Sequence, residues 1–147
     1  MAERVAVAVD HGGFGLKPVL LGMLDELGLT VLDLGAAGAE AVDYPDFAHA
    51  LARAIETGEA GRGILACGTG IGMAIAANRH SMIRAALCHD GLTARFARRH
   101  NDANVLVLGG RLIGPEAARD CITEFFSTPF EGGRHARRLA KVAMEGF

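Results

Sequence analysis

Apolar runs alternate with stretches of helical spacing along the whole chain. Residues 5–9, Val-Ala-Val-Ala-Val, are apolar and rich in β-branched side chains, which predicts a buried strand. In 16–27, Leu20, Leu24 and Leu27 recur at helical spacing and Gly28 closes the segment. The pattern repeats. Strands are expected at 30–34, 63–66, 83–87 and 104–108. Helices are expected at 44–57 with Pro45 in the first turn, from about 71, at 92–99, at 114–126 opened by Pro115, and at about 133–145. Strands separated by helices imply a parallel sheet covered on both faces.

In such sheets, ligands bind at the carboxyl ends of the strands. Asp10 and His11 end the first predicted strand, Cys67 the third, and His89 and Asp90 the fourth. The most informative segment is Cys67-Gly68-Thr69-Gly70-Ile71-Gly72, where a strand runs into a glycine-rich turn and then a helix. Glycines let the backbone turn its N–H groups inward, and a helix start adds positive potential. Such a loop can take an anion or a developing oxyanion, and a thiol beside it is expected to ionise more readily. It is neither a Walker A loop nor a dinucleotide fingerprint: no Gly-Lys-Ser/Thr follows, and the spacing is GxGxG after the third strand. Taken alone, the pattern fits a tight structural turn as well.

Composition narrows the class. The chain has 147 residues, half of them hydrophobic and 22% charged, with a formal net charge of -2. This suits one globular domain spanning 1–147, with no fixed-period repeat and no low-complexity linker. The densest basic cluster, 134–141, is short, so nucleic acid is not an expected partner. No apolar run approaches the roughly 18 residues of a membrane span. The amino terminus carries no signal-peptide pattern, and three cysteines without zinc or CxxC spacing argue against a disulfide framework. The expected compartment is the reducing cytoplasm. Cys88 and Cys121 lie in apolar segments and read as core.

Other polar positions carry two readings each. His11 either caps the next helix or, with Asp10, belongs to a strand-end site. His100-Asn101-Asp102 is either a solvated helix end or a second acid–base candidate. Arg134 and Arg138 are four apart and share a helical face, so they either form a solvated basic face or clamp a phosphate. Tyr44 is either packing or a contact to ligand hydroxyls. Asp10, His11, Cys67 and His100 lack the local ligand spacing of familiar metal sites, so no metal is expected.

Together these motifs resemble the ribose-5-phosphate isomerase B and galactose-6-phosphate isomerase family. The resemblance runs nearly end to end, through Val9-Asp10-His11-Gly12-Gly13-Phe14, Asp43-Tyr44-Pro45, the Cys67 loop on to Asn78, Ile83-Arg84-Ala85-Ala86, His100-Asn101-Asp102-Ala103-Asn104, and Glu131-Gly132-Gly133-Arg134-His135. It implies a Rossmann-like three-layer α/β/α sandwich with a five-stranded parallel sheet. It also implies a homodimer or dimer of dimers with sites shared between subunits, the last helix contacting a partner, and no cofactor. The implied reaction interconverts a phosphorylated aldose and its ketose through a cis-enediolate. By the same resemblance, Cys67 is the base. Thr69 and the N–H groups of Gly68, Gly70 and Gly72 stabilise the enediolate, and His100 with Asp10 opens the sugar ring. Asn101 and Tyr44 hold sugar oxygens, and His11, Arg134 and Arg138 hold the phosphate. Some relatives use a glutamate further along the loop, where this chain has Met73-Ala74-Ile75 and no acid. Ribose 5-phosphate is the first substrate expected, with allose, galactose and tetrose phosphates as alternatives. A flavodoxin-like or receiver-type binding module would share the sheet but would not explain the thiol and the paired arginines.

Overall fold

The structure is a computed structural model and describes residues 2–143. Five strands form one sheet: β1 (Arg4–Val9), β2 (Thr30–Asp33), β3 (Arg62–Cys67), β4 (Ala85–Leu87) and β5 (Val105–Gly109). All pairings are parallel, in the spatial order β2-β1-β3-β5-β4. The helices are α1 (Lys17–Glu26), entered through a 3₁₀ turn at Phe14–Leu16, α2 (Tyr44–Glu56), α3 (Ile71–Ala77), α4 (Gly91–Asn101), α5 (Pro115–Ser127) and α6 (Arg134–Val142). The α/β class and the five-stranded parallel sheet expected from the alternating pattern are what the chain forms. The expected extension of the last helix to Glu145 lies outside the described residues.

Side-chain alternation divides the core into two layers. Val5, Val7, Val9, Ile64, Leu106 and Leu108 face α1, α4 and α5, where Leu20, Leu24, Ile122 and Phe125 meet them. Ala6, Ala8, Leu65, Val105 and Val107 face α2 and α3, against Leu51, Ile55 and Met73. Leu51 closes down onto Gly63: a Cβ there would lie 2.7 Å from the leucine Cδ2. The chain leaves β1 toward β2 on one side and returns with β3 on the other. The carboxyl ends of β1 and β3 therefore flank the topological switch point, the usual ligand crevice of an open parallel sheet.

β4 is shorter than the apolar run 83–87 predicts. The Asn78 side chain accepts from the Ala85 N–H at 2.8 Å and donates to the Ala85 carbonyl at 2.9 Å. The Arg84 N–H is taken at 2.8 Å by Asn104 Oδ1. Side chains thus satisfy the backbone groups that a longer ladder would have used. Among the described residues, no helix is long and apolar enough to cross a membrane.

Candidate active site

Three loops meet at the carboxyl end of the sheet, and they meet backbone to backbone. The Gly110 N–H donates to the Cys67 carbonyl at 2.8 Å, and the Arg111 N–H to the Gly68 carbonyl at 2.9 Å. A Cβ on Gly12 would stand 2.7 Å from the Gly68 nitrogen, so only glycine permits this approach of the β1 and β3 loops. Gly70 has φ +80°, and its N–H donates to Cys67 Sγ at 3.1 Å. Cys67 is buried, 5% exposed, with a backbone donor already aimed at its sulfur. Thr69 is exposed at the tip, its Oγ1 accepting from the Ile71 N–H at 3.2 Å.

The remaining carboxyl-end residues surround this loop. Buried Asp10 accepts the Gly13 N–H on Oδ1 at 3.0 Å and thereby shapes the β1 turn. His11 caps no helix. Its Nδ1 accepts the Val42 N–H at 3.2 Å, which in the neutral ring leaves the proton on Nε2 as a donor. Tyr44 opens α2 and lies over Gly72: a Cβ there would come within 2.6 Å of the phenol ring. Arg111, which the sequence reading passed over, stands against the same loop, its guanidinium about 3.5 Å from where a Gly68 Cβ would be. The available signal was a second strand-end glycine pair, Gly109-Gly110, followed by a cation.

His100, Asn101 and Arg138 are elsewhere. α4 runs back toward the amino end of the sheet, so its last residues precede the start of β5. The five residues of β5 separate that end from the loops, roughly 15 Å at about 3.3 Å per residue. His100, Asn101, His135, Arg138, Leu139 and Val142 line a cavity of about 270 Å³ there. Arg134 lies one turn before Arg138 on α6, and both are exposed. Asp102 is structural: at φ 43° it ends α4, and its carboxylate receives Arg98 at 2.9 Å and Arg84 at 3.4 Å. Within one chain, the sequence-predicted site residues therefore form two groups at opposite ends of the sheet.

The amino-end group is built around two histidines. The rings of His100 and His135 stack at 4.2 Å and 10°, with Phe96 tilted against His100 at 4.7 Å. Glu131 Oε2 is 4.0 Å from His100 Nε2, and its Oε1 is 3.7 Å from His135 Nε2. Burial, then the adjacent His100 and Arg134, lower the His135 pKa despite the carboxylate. Potential ligand atoms of His100, Glu131 and His135 all fall within 4.8 Å of one another. Parallel stacked imidazoles nevertheless aim their lone pairs alongside one another, and a single ion needs them to converge. In this geometry the cluster is a stacked histidine pair with a carboxylate at its edge.

Two other strand-end or thiol positions have ordinary roles. Asp90 caps α4, accepting the Thr93 N–H at 2.7 Å, and that bond lowers its pKa. Cys88 and Cys121 are core, as expected, and burial pushes their thiols up to about 11 and about 12.

A thiol beside inward-facing N–H groups at a switch point, with cations for an anionic substituent, is the equipment of an α/β proton-transfer enzyme. The Ribose/Galactose Isomerase family model matches residues 5–142. The chain is 41% identical over 140 residues to ribose-5-phosphate isomerase B of Escherichia coli, covering 95% of this chain and 94% of that one. It is 44% identical to the D-erythrulose-4-phosphate isomerase of Pectobacterium atrosepticum, covering 94% and 91%. A solved ribose 5-phosphate isomerase of Thermotoga maritima superposes with a TM-score of 0.93 at 50% identity, covering 97% and 99%. The chain belongs to this family of sugar-phosphate aldose–ketose isomerases.

Proposed function

We propose that the protein interconverts ribose 5-phosphate and ribulose 5-phosphate, with its active site completed by a second copy of the chain in a homodimer. The observation that carries the chemistry is the Gly70 N–H held 3.1 Å from Cys67 Sγ at the carboxyl end of β3. Cys67 moves the proton between C1 and C2. Thr69 and the N–H groups of Gly68, Gly70 and Gly72 stabilise the enediolate oxygens, whose negative charge develops during that transfer. Tyr44 and Asn101 hold sugar hydroxyls. His11, Arg134 and Arg138 hold the phosphate, and Arg111 adds a cation beside the glycine loop.

Ring opening needs an acid for the ring oxygen and a base for the anomeric hydroxyl. The C1–O bond breaks, its electron pair stays on the ring oxygen, and that oxygen takes a proton from His100. The C1 hydroxyl gives its proton to Asp10 as the carbonyl forms. Because His100 and Cys67 lie at opposite ends of one sheet, a single chain cannot bring them to one small sugar. A dimer can, by setting the amino-end cavity of one copy over the loops of the other. The chain then acts as one domain over 1–147, with α6 at the partner.

Solvent deuterium exchange tests the base. Ribulose 5-phosphate is open-chain, because its O5 carries the phosphate, so exchange at its C1 reports enolisation alone. Cys67→Ala is expected to lose this exchange by about 10²–10⁴-fold, and exchange at the parental rate rules Cys67 out. A panel of phosphorylated aldoses tests the substrate. Ribose 5-phosphate is expected to show the highest kcat/KM. The similarity to the D-erythrulose-4-phosphate isomerase supports a four-carbon substrate as second reading, and a higher kcat/KM for a tetrose phosphate would establish it.

A further inference from the structure

The stacked histidines leave one carboxylate without an assigned task. Glu131 sits in the turn before α6 and is tied to the end of α4 twice. Its N–H donates to the Arg99 carbonyl at 3.0 Å. Its Oε2 accepts from Arg99 Nε at 3.2 Å and Nη2 at 3.0 Å. Partial desolvation pulls its carboxyl up, but the Arg99 hydrogen bond and the neighbouring positive charges outweigh that and hold it below the usual range. A fixed negative charge therefore lies at the edge of both stacked imidazoles, 4.0 Å from one Nε2 and 3.7 Å from the other.

The two rings are not equivalent. His135 is 5% exposed, and its Nε2 has no hydrogen-bond partner among the described residues. The His100 side chain is 35% exposed and opens on the cavity with Asn101 and Arg138. The rings stack face to face at 4.2 Å and 10°, so each fixes the plane of the other.

We propose that Glu131 is a positioning residue for ring opening: its carboxylate, anchored by Arg99, braces the edges of the stacked pair and holds the His100 ring at the cavity. This inference rests on the reading of His100 as the ring-opening acid. Glu131 touches no reacting atom and acts through His100. The neutral His135 ring serves as the flat support against which His100 is held.

Glu131→Gln keeps the side chain's shape and an oxygen for Arg99 but removes the charge. Its kcat for conversion of cyclic ribose 5-phosphate is expected to fall ten- to a hundredfold, with KM changed less than threefold. Deuterium exchange into open-chain ribulose 5-phosphate should remain within twofold of the parent. Glu131→Asp, which restores the charge at shorter reach, should recover part of the lost kcat. Equal losses in conversion and exchange would mean a general structural role and overturn the proposal, as would an unchanged kcat. His100→Asn, measured in parallel, separates the two levels. If His100→Asn is selective for the cyclic sugar and Glu131→Gln is not, only the role of Glu131 falls. If His100→Asn reduces both reactions equally, the ring-opening assignment falls, and the proposal with it.

Discussion

The two ends of the sheet carry different kinds of chemistry. At the carboxyl end, a glycine loop presents backbone N–H groups beside His11 and Arg111, and the three loops touch through glycines where a Cβ has no room. Cys67 is buried there. At the amino end, the candidate groups are long or ionisable side chains on α4 and α6 around a cavity, from buried His135 to exposed Arg138. Backbone donors cannot reorient or change protonation, which suits them to a charge that forms at one point in the reaction. Imidazoles can exchange protons near neutral pH and guanidinium groups can reposition around an anion, which suits the proposed ring opening and phosphate capture. The proposed dimer brings one end of each kind into every site.

That division predicts how each end breaks. The largest expected effect is loss of isomerisation in Cys67→Ala, and a mixing experiment sharpens it. Cys67→Ala and Arg138→Ala chains should each be impaired alone. After exchange of subunits, one site of each heterodimer would pair an intact carboxyl end with an intact amino end. Activity should return toward half of the parental value per heterodimer. If exchange is verified by mass and no activity returns, both ends serve one chain and the shared site is wrong.

Gly70→Ala comes next. Its φ of +80° disfavours a side chain, and a Cβ there would lie 2.5 Å from Leu87 Cδ1 and 3.1 Å from the Leu108 backbone. Backbone strain of this kind costs about 1–3 kcal/mol. Thermal unfolding should show a lowered Tm together with a reduced kcat, because the displaced N–H is the one facing Cys67. An unchanged Tm and kcat would show that the loop accommodates the methyl group. Arg138→Ala is the contrasting change at the amino end. A charge-assisted contact contributes on the order of 1.5–3 kcal/mol, so KM for a phosphorylated sugar should rise roughly ten- to a hundredfold while Tm stays put. A Tm loss without a KM change would make Arg138 a structural residue.

The smallest effect concerns the core thiols. Burial raises the Cys88 and Cys121 thiols to about 11 and about 12, whereas an unfolded thiol ionises near about 8.5. A raised folded-state pKa gives stability that is complete below the unfolded value and declines as pH rises above it. Unfolding free energy should therefore decrease between about pH 8.5 and 11, and a Cys88→Ala/Cys121→Ala chain should show less of that decline. Urea titrations across this range measure it, and identical slopes for the two chains would exclude the thiols as its source.

The carboxyl-end group was readable because its logic is local. A β-branched run, a thiol or an Asp-His pair, and glycines at the next positions place a loop at the end of a strand, wherever the strand lies in the sheet. Gly72 was recognisable in the loop, but its fit against the Tyr44 ring needed the packing of α2 on α3. The amino-end residues were recognisable as a helix-end motif and an i, i+4 arginine pair, yet their separation from Cys67 was not. Arg111 and Glu131 went unassigned because nothing adjacent in sequence names their partners. Gly68 is 43 positions before Arg111, and Arg99 is 32 before Glu131.

The sequence by itself determined the strands, the helices, the parallel sheet and the identity of most candidate site residues. Those depend on side-chain period, turn chemistry and short motifs, all of which act over a few residues. Only the tertiary structure decided the strand order β2-β1-β3-β5-β4, and with it the switch point between β1 and β3. It also decided that α4 delivers His100 to the end opposite Cys67 and stacks it on His135 beside Glu131. Burial of both sheet faces selects these arrangements together, and that selection acts between residues far apart in the chain.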